Sequence, residues 1–374
     1  MRKAGTTQAE LARMLGLSRS TVAAVLNPHS TVRLSEATRR RVLQAVERKG
    51  YRPHRYAQIM RVGKSGVVGL FHFGGLSQVA AERVWHASNA IQAAGYQVLT
   101  NDASWASGGV AAGCEAMADA RVEGVLVAGW NEAMNGRAFK ILQKAKIPVV
   151  ALSGSEVPWA PQVRADTRSA FHGLTTHVLG QGRRRLMLLL ALGREARLAD
   201  EEDLDGVDLS GAERVEGFCS ALREGGGRLV ARFEASRRGR QGCLVSGNLE
   251  RDRFNPFRDA SQVLRRELAE NALPDAIVCG NDDWAIGAMA VLREVGLRVP
   301  EDVAVTGFDN TSVGAYLAVP LTTVAQPGRT MAEHAVSLLF KKIQGGRVSL
   351  EPVRFPCELV VRASCGAKHI LASS

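Results

Sequence analysis

The residues best suited to specific recognition lie in a short basic stretch near the start of the chain. Arg19 opens it, and its guanidinium group can donate two hydrogen bonds to the edge of a guanine. Ser20 and Thr21 follow with hydroxyl groups that can bond to bases or phosphates. Ala23 and Ala24 offer only methyl groups, which can touch the methyl group of thymine. These residue types could read a DNA duplex if they share one exposed face of a helix.

The apolar residues in "LSRSTVAAVLN" (17–27) predict that helix. Val22, Val25 and Leu26 recur at the interval that places side chains on one helical face, and Ser18 is a favoured N-terminal cap. The arginine, the hydroxyl groups and the two alanines then lie on the outward face. The alternative is a structural helix that lies in a basic segment by chance.

Two further helices are predicted on either side of this one. The first opens at Thr7, with Glu10 at the spacing of a capping box, and ends at Gly16. The third runs from Ser35 to Gly50. Two short helices joined by a glycine-containing turn form a helix-turn-helix. Structural helical hairpins share this pattern, so the charge of the segment matters for the interpretation.

The excess positive charge lies entirely in this part of the chain. The whole chain has a formal net charge of +11, and residues 1–64 contain 14 Lys and Arg against three Asp and Glu. The remaining residues contain 34 of each sign. A solvated basic tail would show such asymmetry too, but not capped and periodic helices. The asymmetry therefore predicts a nucleic-acid-binding unit joined to a neutral one.

In a helix-turn-helix the second helix enters the major groove with its N-terminal residues toward the bases. Arg19, Ser20, Ala23 and Ala24 are predicted to lie in that groove, whereas Thr21, Asn27 and His29 are better placed for phosphates. The DNA contacts predicted for this unit are made by Thr7, Ser18, Arg19, Ser20, Thr21, Ala24, Asn27 and His29.

Composition excludes several other classes of protein. Hydrophobic residues make up 46% of the 374 residues, and no apolar run reaches the roughly 18–20 residues that span a bilayer. The basic start lacks the apolar core of a secretory signal, so we expect a cytoplasmic protein. No cofactor or metal is expected, because the cysteines are scattered without metal-binding spacing, at positions 114, 219, 243, 279, 357 and 365.

From Val67 onward, apolar strands alternate with helical patterns of 10–15 residues, which predicts parallel α/β sheets in two lobes. The predicted strands lie in "VVGLFHF", "AAGYQVLT", "VEGVLVAG", "IPVVALSG", "RRRLMLLLA", "PDAIVCGND" and "DVAVTGFD". Ligands bind beyond the carboxyl ends of such strands, so the loops that follow them are the candidate binding site.

The chain resembles the LacI–GalR family of bacterial transcriptional regulators in "TTQAELARMLGLSRSTVAAVLN", "YRP" (51–53), "GNDDWAIGAMAVLREVGLRVPEDVAVTGFDN" (280–310) and "VPLTTVAQP" (319–327). The resemblance implies an N-terminal all-α helix-turn-helix domain and a two-lobed periplasmic-binding-protein-like domain with parallel sheets. The boundaries expected from it are 1–53 for the helix-turn-helix, 54–65 for a hinge helix and linker, 66–364 for the effector-binding and dimerisation domain, and 365–374 for a tail. Its lobes are expected at 66–163 with 327–352 and at 164–326 with 353–364, so that the chain crosses between them near 164, 326 and 352.

The resemblance also implies roles for residues of the hinge, "HRYAQIMRVGKS". In the family a hinge helix enters the central minor groove and wedges an apolar side chain into a base step. Met60 matches the wedge position, and methionine is a known wedge residue. Arg55 and Ala57 are predicted to contact DNA beside it. Without the family, a plain linker is the default interpretation.

For the cleft, the resemblance implies that Arg214 in "ERVEGF" grips a small effector and that Asp309 accepts hydrogen bonds from effector hydroxyl groups. Asn281 is predicted to line the same cleft. Ser77 and Trp130 are candidates by position alone, in loops that follow strands of the first lobe. The alternatives are that Asp309 or Asn281 caps a helix and that Trp130 belongs to the core.

Two departures from the family keep the effector unnamed. The loop "FHFGGLSQVAAE" lacks the family's usual aromatic run, and extra sequence occurs at 195–208 and 234–259. Both extra segments are predicted to be surface loops, the first acidic and the second arginine-rich. The short C-terminal tail lacks a heptad coil, so a homodimer is expected on a palindromic operator.

The function predicted is a sequence-specific DNA-binding transcriptional regulator, a repressor, whose operator affinity changes with a sugar or related metabolite bound between two lobes. A solute-binding component of a transporter would share the second domain but not the basic helix-turn-helix. An enzyme acting on sugars would need two carboxyl groups at a set separation, and the spacing of Asp282, Asp283, Asp302 and Asp309 does not require one. We therefore expect no enzyme.

Overall fold

A computed structural model of the chain contains two compact units, residues 1–66 and 67–374. The structure describes residues 7–26, 32–50, 64–72, 77–102, 109–130, 138–154, 157–191, 209–230, 241–247 and 255–367. Within these ranges, every helix is too short or too polar to cross a bilayer.

Three helices lie in the described part of the first unit, and all three were predicted. They are α1 (Gln8–Leu15), α2 (Arg19–Leu26) and α3 (Glu36–Lys49). Thr7 and Glu10 form the predicted capping box, and Gly16 ends α1 in the left-handed conformation that glycine adopts without strain. The helices pack around a small core made by Leu11, Ala12, Val22, Val25 and Val42.

A six-stranded parallel sheet forms the first lobe of the second unit, in the order β12–β5–β4–β3–β1–β2. Its strands are β1 (Val67–His72), β2 (Gln97–Asp102), β3 (Gly124–Trp130), β4 (Val149–Gly154), β5 (Gln162–Ala165) and β12 (Val353–Phe355). The helices of this lobe are α4 (Gln78–Ala93), α5 (Gly109–Asp119), α6 (Phe139–Lys144) and α11 (Gly328–Ile343).

Both faces of this sheet are covered, because successive side chains of a strand point to opposite faces. On one face Val68 and Leu70 pack in a core with residues of α4 and α11. On the other, Phe71 packs in a core with residues of α5 and α6, including Phe139. This doubly covered arrangement explains why β1 reads as an unbroken apolar run.

A five-stranded parallel sheet forms the second lobe, in the order β10–β9–β6–β8–β7. Its strands are β6 (Arg185–Ala191), β7 (Arg228–Val230), β8 (Gln241–Gly247), β9 (Ala276–Cys279) and β10 (Ala304–Thr306). Helices α7 (Thr167–Gly180) and α8 (Leu209–Glu224) share a core with one face, and α9 (Pro256–Glu270) and α10 (Asp282–Glu294) share one with the other. The predicted fold class is confirmed.

Three segments connect the lobes, and one lies later than predicted. The chain passes from β5 to α7, from β11 (Thr323–Ala325) to α11, and from β12 to β13 (Glu358–Val360), which pairs antiparallel with β11. The last crossing was expected near 352, with 353–364 in the second lobe. Because Val353 pairs with Val163 of β5, β12 belongs to the first lobe and the crossing follows Phe355.

The described parts of the second extra segment are a strand and the start of a helix rather than a surface loop, which corrects the prediction for that part of 234–259. Residues 241–247 form β8, which lies between β6 and β7 and pairs with both. Helix α9 then begins at Pro256, with Asn255 as its cap. The many charged residues on both sides of this short strand hid it in the sequence pattern. The acidic extra segment, 195–208, falls outside the described residues.

Candidate functional site

The first candidate surface is the exposed side of α2. The hydroxyl group of Ser18 accepts a hydrogen bond from the backbone N–H of Thr21 at 3.0 Å, and so caps the helix as predicted. The same oxygen contacts the hydroxyl groups of Ser20 at 2.7 Å and Thr21 at 2.8 Å. Arg19 and Ser20 are exposed. The start of α2 therefore presents one guanidinium and two hydroxyl groups to a ligand.

The two alanines of α2 have different environments, which corrects one prediction. Ala23 is only 6% exposed, whereas Ala24 is partly exposed. The buried side of α2 therefore extends beyond Val22 and Val25 to Ala23, and Ala23 cannot reach a groove as placed here. A helix of eight residues packed against two neighbours buries a wide stripe, so outward position cannot be read from a three-residue apolar pattern. Ala24 stays a predicted contact.

Contacts from α1 and α3 hold the candidate reading helix in place. The side-chain amide of Gln8 donates to the carbonyl oxygen of Arg19 at 3.4 Å. Arg41 of α3 donates to the carbonyl oxygen of Leu15 at 3.1 Å, where α1 ends, and so supports the helix that contacts α2. An arginine at a helix C-terminus satisfies a carbonyl that has no partner within the helix.

Several predicted DNA contacts fall outside the described residues: Asn27, His29, Arg55, Ala57 and Met60. Thr7 is described, and both its backbone N–H and its hydroxyl group bond to Glu10. Its predicted role in DNA contact is compatible with that capping box, because Thr7 is exposed. All of these contacts stay predictions.

The second candidate surface is a pair of adjoining cavities in the second unit, which we call the outer and inner cavities. The outer cavity has a volume of about 300 Å³ and the inner cavity about 220 Å³. Arg83 of α4 and Gln326, just after β11, line both. The inner cavity is lined by Arg83, Gly129, Ser153, Gly154, Arg164, Ala165, Thr167, Arg214 and Gln326. It therefore lies at the carboxyl ends of β3, β4 and β5, where ligands of parallel sheets bind.

Asp309 lies in the outer cavity, on the loop that follows β10. Its backbone has φ +113°, a conformation rare for a residue with a side chain, which is typical of functional loops. Gln326 donates a hydrogen bond to its carboxylate at 2.6 Å. Burial raises the pKa of Asp309 to about 7, although the charge of Arg214 acts in the opposite direction. The predicted cleft residues Asp309 and Arg214 thus lie within electrostatic range of each other.

Arg214 is held by aromatic rings beneath it. Its guanidinium carbon lies 5.8 Å from the centroid of the Phe171 ring and 5.6 Å from that of Phe308, and these two rings stack at 5.0 Å. A guanidinium group over an aromatic face is favourable and leaves its edge available for hydrogen bonds. This platform fixes the orientation of Arg214 toward the inner cavity.

A buried ionic cluster beside Arg214 joins the two lobes. Glu213 of α8 accepts hydrogen bonds from Arg164 of β5 at 2.9 Å and from Arg354 of β12 at 2.7 Å. The two arginines are register partners on adjacent strands of the first lobe. Arg164 and Glu213 are only 3% and 6% exposed as side chains. The residue next to Arg214 is therefore tied to the sheet of the opposite lobe.

Asp282 has a structural role below the cleft. Its side chain is fully buried and accepts hydrogen bonds from the backbone and hydroxyl groups of Thr311, at 2.6 and 2.9 Å, and from the hydroxyl of Thr323 at 2.6 Å. A Cβ atom at Gly307 would clash with this carboxylate, which explains the glycine before Phe308. Asp282 thereby fixes the loop that carries Asp309.

The remaining predicted cleft residues do not gather at the cavities. Asn281 caps α10, its side-chain oxygen accepting from the backbone of Trp284 at 2.9 Å, and Ser77 caps α4 by accepting from Ala80 at 3.5 Å. Neither is among the described residues that line the two cavities. Asn281 therefore caps a helix, as the alternative interpretation predicted. The contact predicted between Asn281 and the effector stays a prediction. The side chain of Trp130 is outside the described residues.

The cavity residues missed by the sequence interpretation include Arg83, Ser153, Arg164 and Gln326. Two of them could have been predicted from the sequence. Ser153 lies at the end of a predicted strand, and Gln326 lies in "VPLTTVAQP". Arg83 and Arg164 gave no such signal, since one lies mid-helix and the other in a strand too short to detect. Among the described residues, no cluster of His, Cys, Asp or Glu could hold a metal ion.

Comparison with protein families matches both units of the chain. Residues 7–54 match the bacterial regulatory proteins of the lacI family, and residues 175–365 match the periplasmic binding protein-like domain. The chain is similar to HTH-type transcriptional repressors named PurR. It is 24% identical to the one from Photobacterium profundum over 95% of this chain and 97% of that one. The PurR of Mannheimia succiniciproducens is 26% identical with the same coverage.

Solved structures show the same fold. A lac repressor dimer bound to operator and the anti-inducer ONPF has a TM-score of 0.76 and 21% identity, and the match covers 97% of this chain and all of that one. A complex of the transcriptional regulator CelR with cellobiose has a TM-score of 0.64 and 23% identity, over 96% of this chain and 99% of that one.

Proposed function

Because the chain belongs to the lacI family of bacterial regulatory proteins, we propose that its two candidate surfaces act together in one effector-controlled repressor. The protein is a DNA-binding transcriptional regulator of that family. One observation carries the proposal: the same chain has an exposed reading helix in a basic unit and a charged cleft between two lobes. The first surface would bind an operator, and the second would bind a small molecule that changes operator affinity.

The control would operate by thermodynamic linkage. An effector changes DNA affinity only as far as it binds the DNA-bound and DNA-free forms with different affinities. The ionic cluster of Glu213 with Arg164 and Arg354 gives a physical route inside the second unit, because it ties the helix carrying Arg214 to the sheet of the other lobe. A ligand held by Arg214 and Asp309 would therefore favour one arrangement of the lobes.

A homodimer on a palindromic operator follows from the geometry of DNA reading, since one helix-turn-helix reads only a half-site. An apolar groove of about 640 Å³ on the second lobe supports a dimer contact. It is lined in part by Ile286, Met289 and Leu317, close to the highly exposed Tyr316. Ala318→Glu, at an exposed position of this groove, is expected to give monomers in analytical ultracentrifugation.

The same proposal covers catalysis and cellular location. The chain would act without catalysing a reaction, because its family consists of regulators. It would work in the bacterial cytoplasm, on the nucleoid, because its target is DNA. A transporter component with the same effector fold is the alternative class, and the basic first unit argues against it.

Selection of binding sites from random DNA duplexes by the full-length protein tests the proposal. The expected product is an inverted repeat, bound about 10³-fold or more tighter than unselected DNA at physiological salt. Recovery of unrelated sequences with equal, salt-sensitive affinities would contradict it. The selected duplex then serves to measure how a small molecule changes affinity. The response in Asp309→Ala, against the unaltered protein, decides whether the effector releases DNA or promotes its binding.

A further inference from the structure

The chemistry of the inner cavity identifies the class of effector, on the premise that the proposed function is correct. Three guanidinium groups line this cavity of about 220 Å³: Arg83, Arg164 and Arg214. They come from three elements, α4 and β5 in the first lobe and α8 in the second. Among the described lining residues there is no carboxylate. A cavity so lined favours a ligand that carries negative charge.

The electrostatics of these arginines point the same way. Partial burial lowers the pKa of Arg83, the charge of Asp309 raises it, and the nearby charge of Arg214 lowers it. The two guanidinium groups therefore repel each other across the cavity. An anion between them would turn that repulsion into two attractive, charge-assisted hydrogen-bonding interactions.

Ser153 adds an unused hydrogen-bonding group to the same wall. It is only 9% exposed, and its hydroxyl group has no hydrogen-bond partner among the described residues. Buried polar groups are rarely left without a hydrogen bond, and one that lines a cavity can bond to a ligand placed there. Its φ of +63° is strained for a residue with a side chain. The buried amide of Gln162 holds this turn, donating to the carbonyl oxygens of Ser153 and Gly154 at 3.4 and 3.5 Å.

The start of a long helix completes the site. Thr167, the first residue of the 14-residue helix α7, lines the inner cavity beside Ala165. A helix N-terminus carries partial positive charge and N–H groups without partners inside the helix. Arginines, a hydroxyl group and this helix end thus converge on one small volume.

The outer cavity is lined by different polar groups, and these indicate the chemistry of the rest of the ligand. Asp309 and Gln326 lie there, and a carboxylate paired with an amide suits the hydroxyl groups of a polyol. Because Arg83 and Gln326 line both cavities, one ligand can extend through them. Together the cavities have room for a ligand of small-metabolite size.

We propose that the effector is a hydroxylated small molecule bearing a carboxylate or a phosphate. Its anionic group would lie in the inner cavity among Arg83, Arg164, Arg214 and the hydroxyl of Ser153. Its hydroxyl groups would face Asp309. A neutral sugar would satisfy only the outer half of this site.

Matched ligands test the proposal on the full-length protein. The probes are glucose, gluconate and glucose 6-phosphate, with inorganic phosphate and sulfate against chloride at constant ionic strength. Thermal unfolding and calorimetric titration measure binding. Phosphate or sulfate is expected to raise the melting temperature of the second unit at millimolar concentration. At least one of the two charged glucose derivatives should bind about tenfold or more tighter than glucose. Comparison of the carboxylate with the phosphate identifies which anion fits.

Variants separate this site from general charge effects. Arg83→Gln is expected to weaken anion binding about tenfold to a hundredfold. Arg347→Gln removes the same charge from an exposed position that lines neither cavity, and should change anion binding less than about twofold. Ser153→Ala removes only the hydroxyl group and should fold normally with weaker anion binding. If Arg83→Gln unfolds, anion binding by Ser153→Ala still tests the proposal.

Three results would overturn the proposal. They are glucose binding as tightly as its charged derivatives, no stabilisation by any anion, and an equal anion effect in Arg83→Gln and Arg347→Gln. None of these affects operator selection, which is carried out without ligand and again with each probe present. A neutral molecule that changes operator affinity would refute the anionic effector and leave the proposed function intact. Failure to select an operator under all of these conditions would refute the function, whatever the anion titration gives.

Discussion

The reading helix and the cleft hold their recognition groups in opposite environments. Arg19 and Ser20 are exposed on α2, and the helix beneath them is held by a core of small and branched side chains. In the cleft, Arg164 and Glu213 are almost fully buried, and Asp309 has a pKa shifted by its burial. Exposed recognition groups contribute to binding and little to folding. Buried ones contribute to both, so changing them affects stability as well as ligand affinity.

The largest effect is expected for Arg19→Ala. Loss of a bidentate arginine–guanine pair costs about 1–3 kcal/mol, so a symmetric dimer would lose operator affinity by about 10²- to 10⁴-fold. Fluorescence anisotropy with the selected operator and a scrambled duplex measures the loss of preference. Arg48→Ala, at an exposed position of α3, removes the same charge and should lower both affinities alike. Unchanged sequence preference in Arg19→Ala would refute the reading role of α2.

The second-largest effect is expected for Glu213→Gln, and it is an effect on stability. The substitution removes the carboxylate that pairs with buried Arg164, which costs about 3–5 kcal/mol in the free energy of unfolding of the second unit. Urea denaturation followed by tryptophan fluorescence measures it. Glu216→Gln breaks the exposed pair with Arg168 on the same helix, and should cost less than about 1 kcal/mol. Equal costs for the two variants would remove the contrast between buried and exposed charges.

Asp309 predicts a dependence of stability on pH. Its folded-state pKa of about 7 lies above the ordinary value, so the folded protein binds more protons than the unfolded chain between pH 4 and 7. Ionisation of this group therefore destabilises the second unit progressively as the pH rises through that window. Asp309→Asn cannot ionise, and the stability of the unaltered protein relative to this variant should fall by about 2–4 kcal/mol between pH 5 and pH 8.

Urea denaturation of both proteins at the two pH values checks this expectation. His and other carboxyl groups titrate in both proteins, so their contributions cancel in the difference. A difference that stays constant with pH would show that Asp309 is solvated rather than buried.

The smallest effects are expected for the two alanines of α2. Ala23→Ser places a hydroxyl group in a buried position and should destabilise the first unit by about 1–2 kcal/mol. Ala24→Ser adds the same group to the exposed side and should change stability by less than about 0.5 kcal/mol. Thermal unfolding measures both. Repeated site selection with Ala24→Ser should alter preference at a single position of each half-site.

The structure of the helix-turn-helix could be predicted from the sequence more completely than the structure of the second unit. The helix-turn-helix could be read almost completely, because caps, helical periodicity and local charge are properties of neighbouring residues. Thr7 with Glu10, Ser18, and Ser35 with Gly50 all have the predicted positions and cap contacts. Ala23 was misread because its burial depends on two helices packed against α2. In the second unit, the long strands were predictable, and the short strand β5 and the charge-flanked β8 were not.

The amino-acid sequence alone was enough to predict the basic unit, its capped helices, the two parallel sheets and the polar groups that follow several strands. Each of these depends on contacts between residues near in the chain or on a regular pattern. Only the tertiary structure decided that Arg83, Ser153, Arg164 and Arg214 surround one cavity, since they come from separate elements far apart in sequence. It also decided which carboxylates serve structure, as Asp282 does, and which face the cleft, as Asp309 does. Burial, and with it the charge state of a side chain, depends on the whole packed fold.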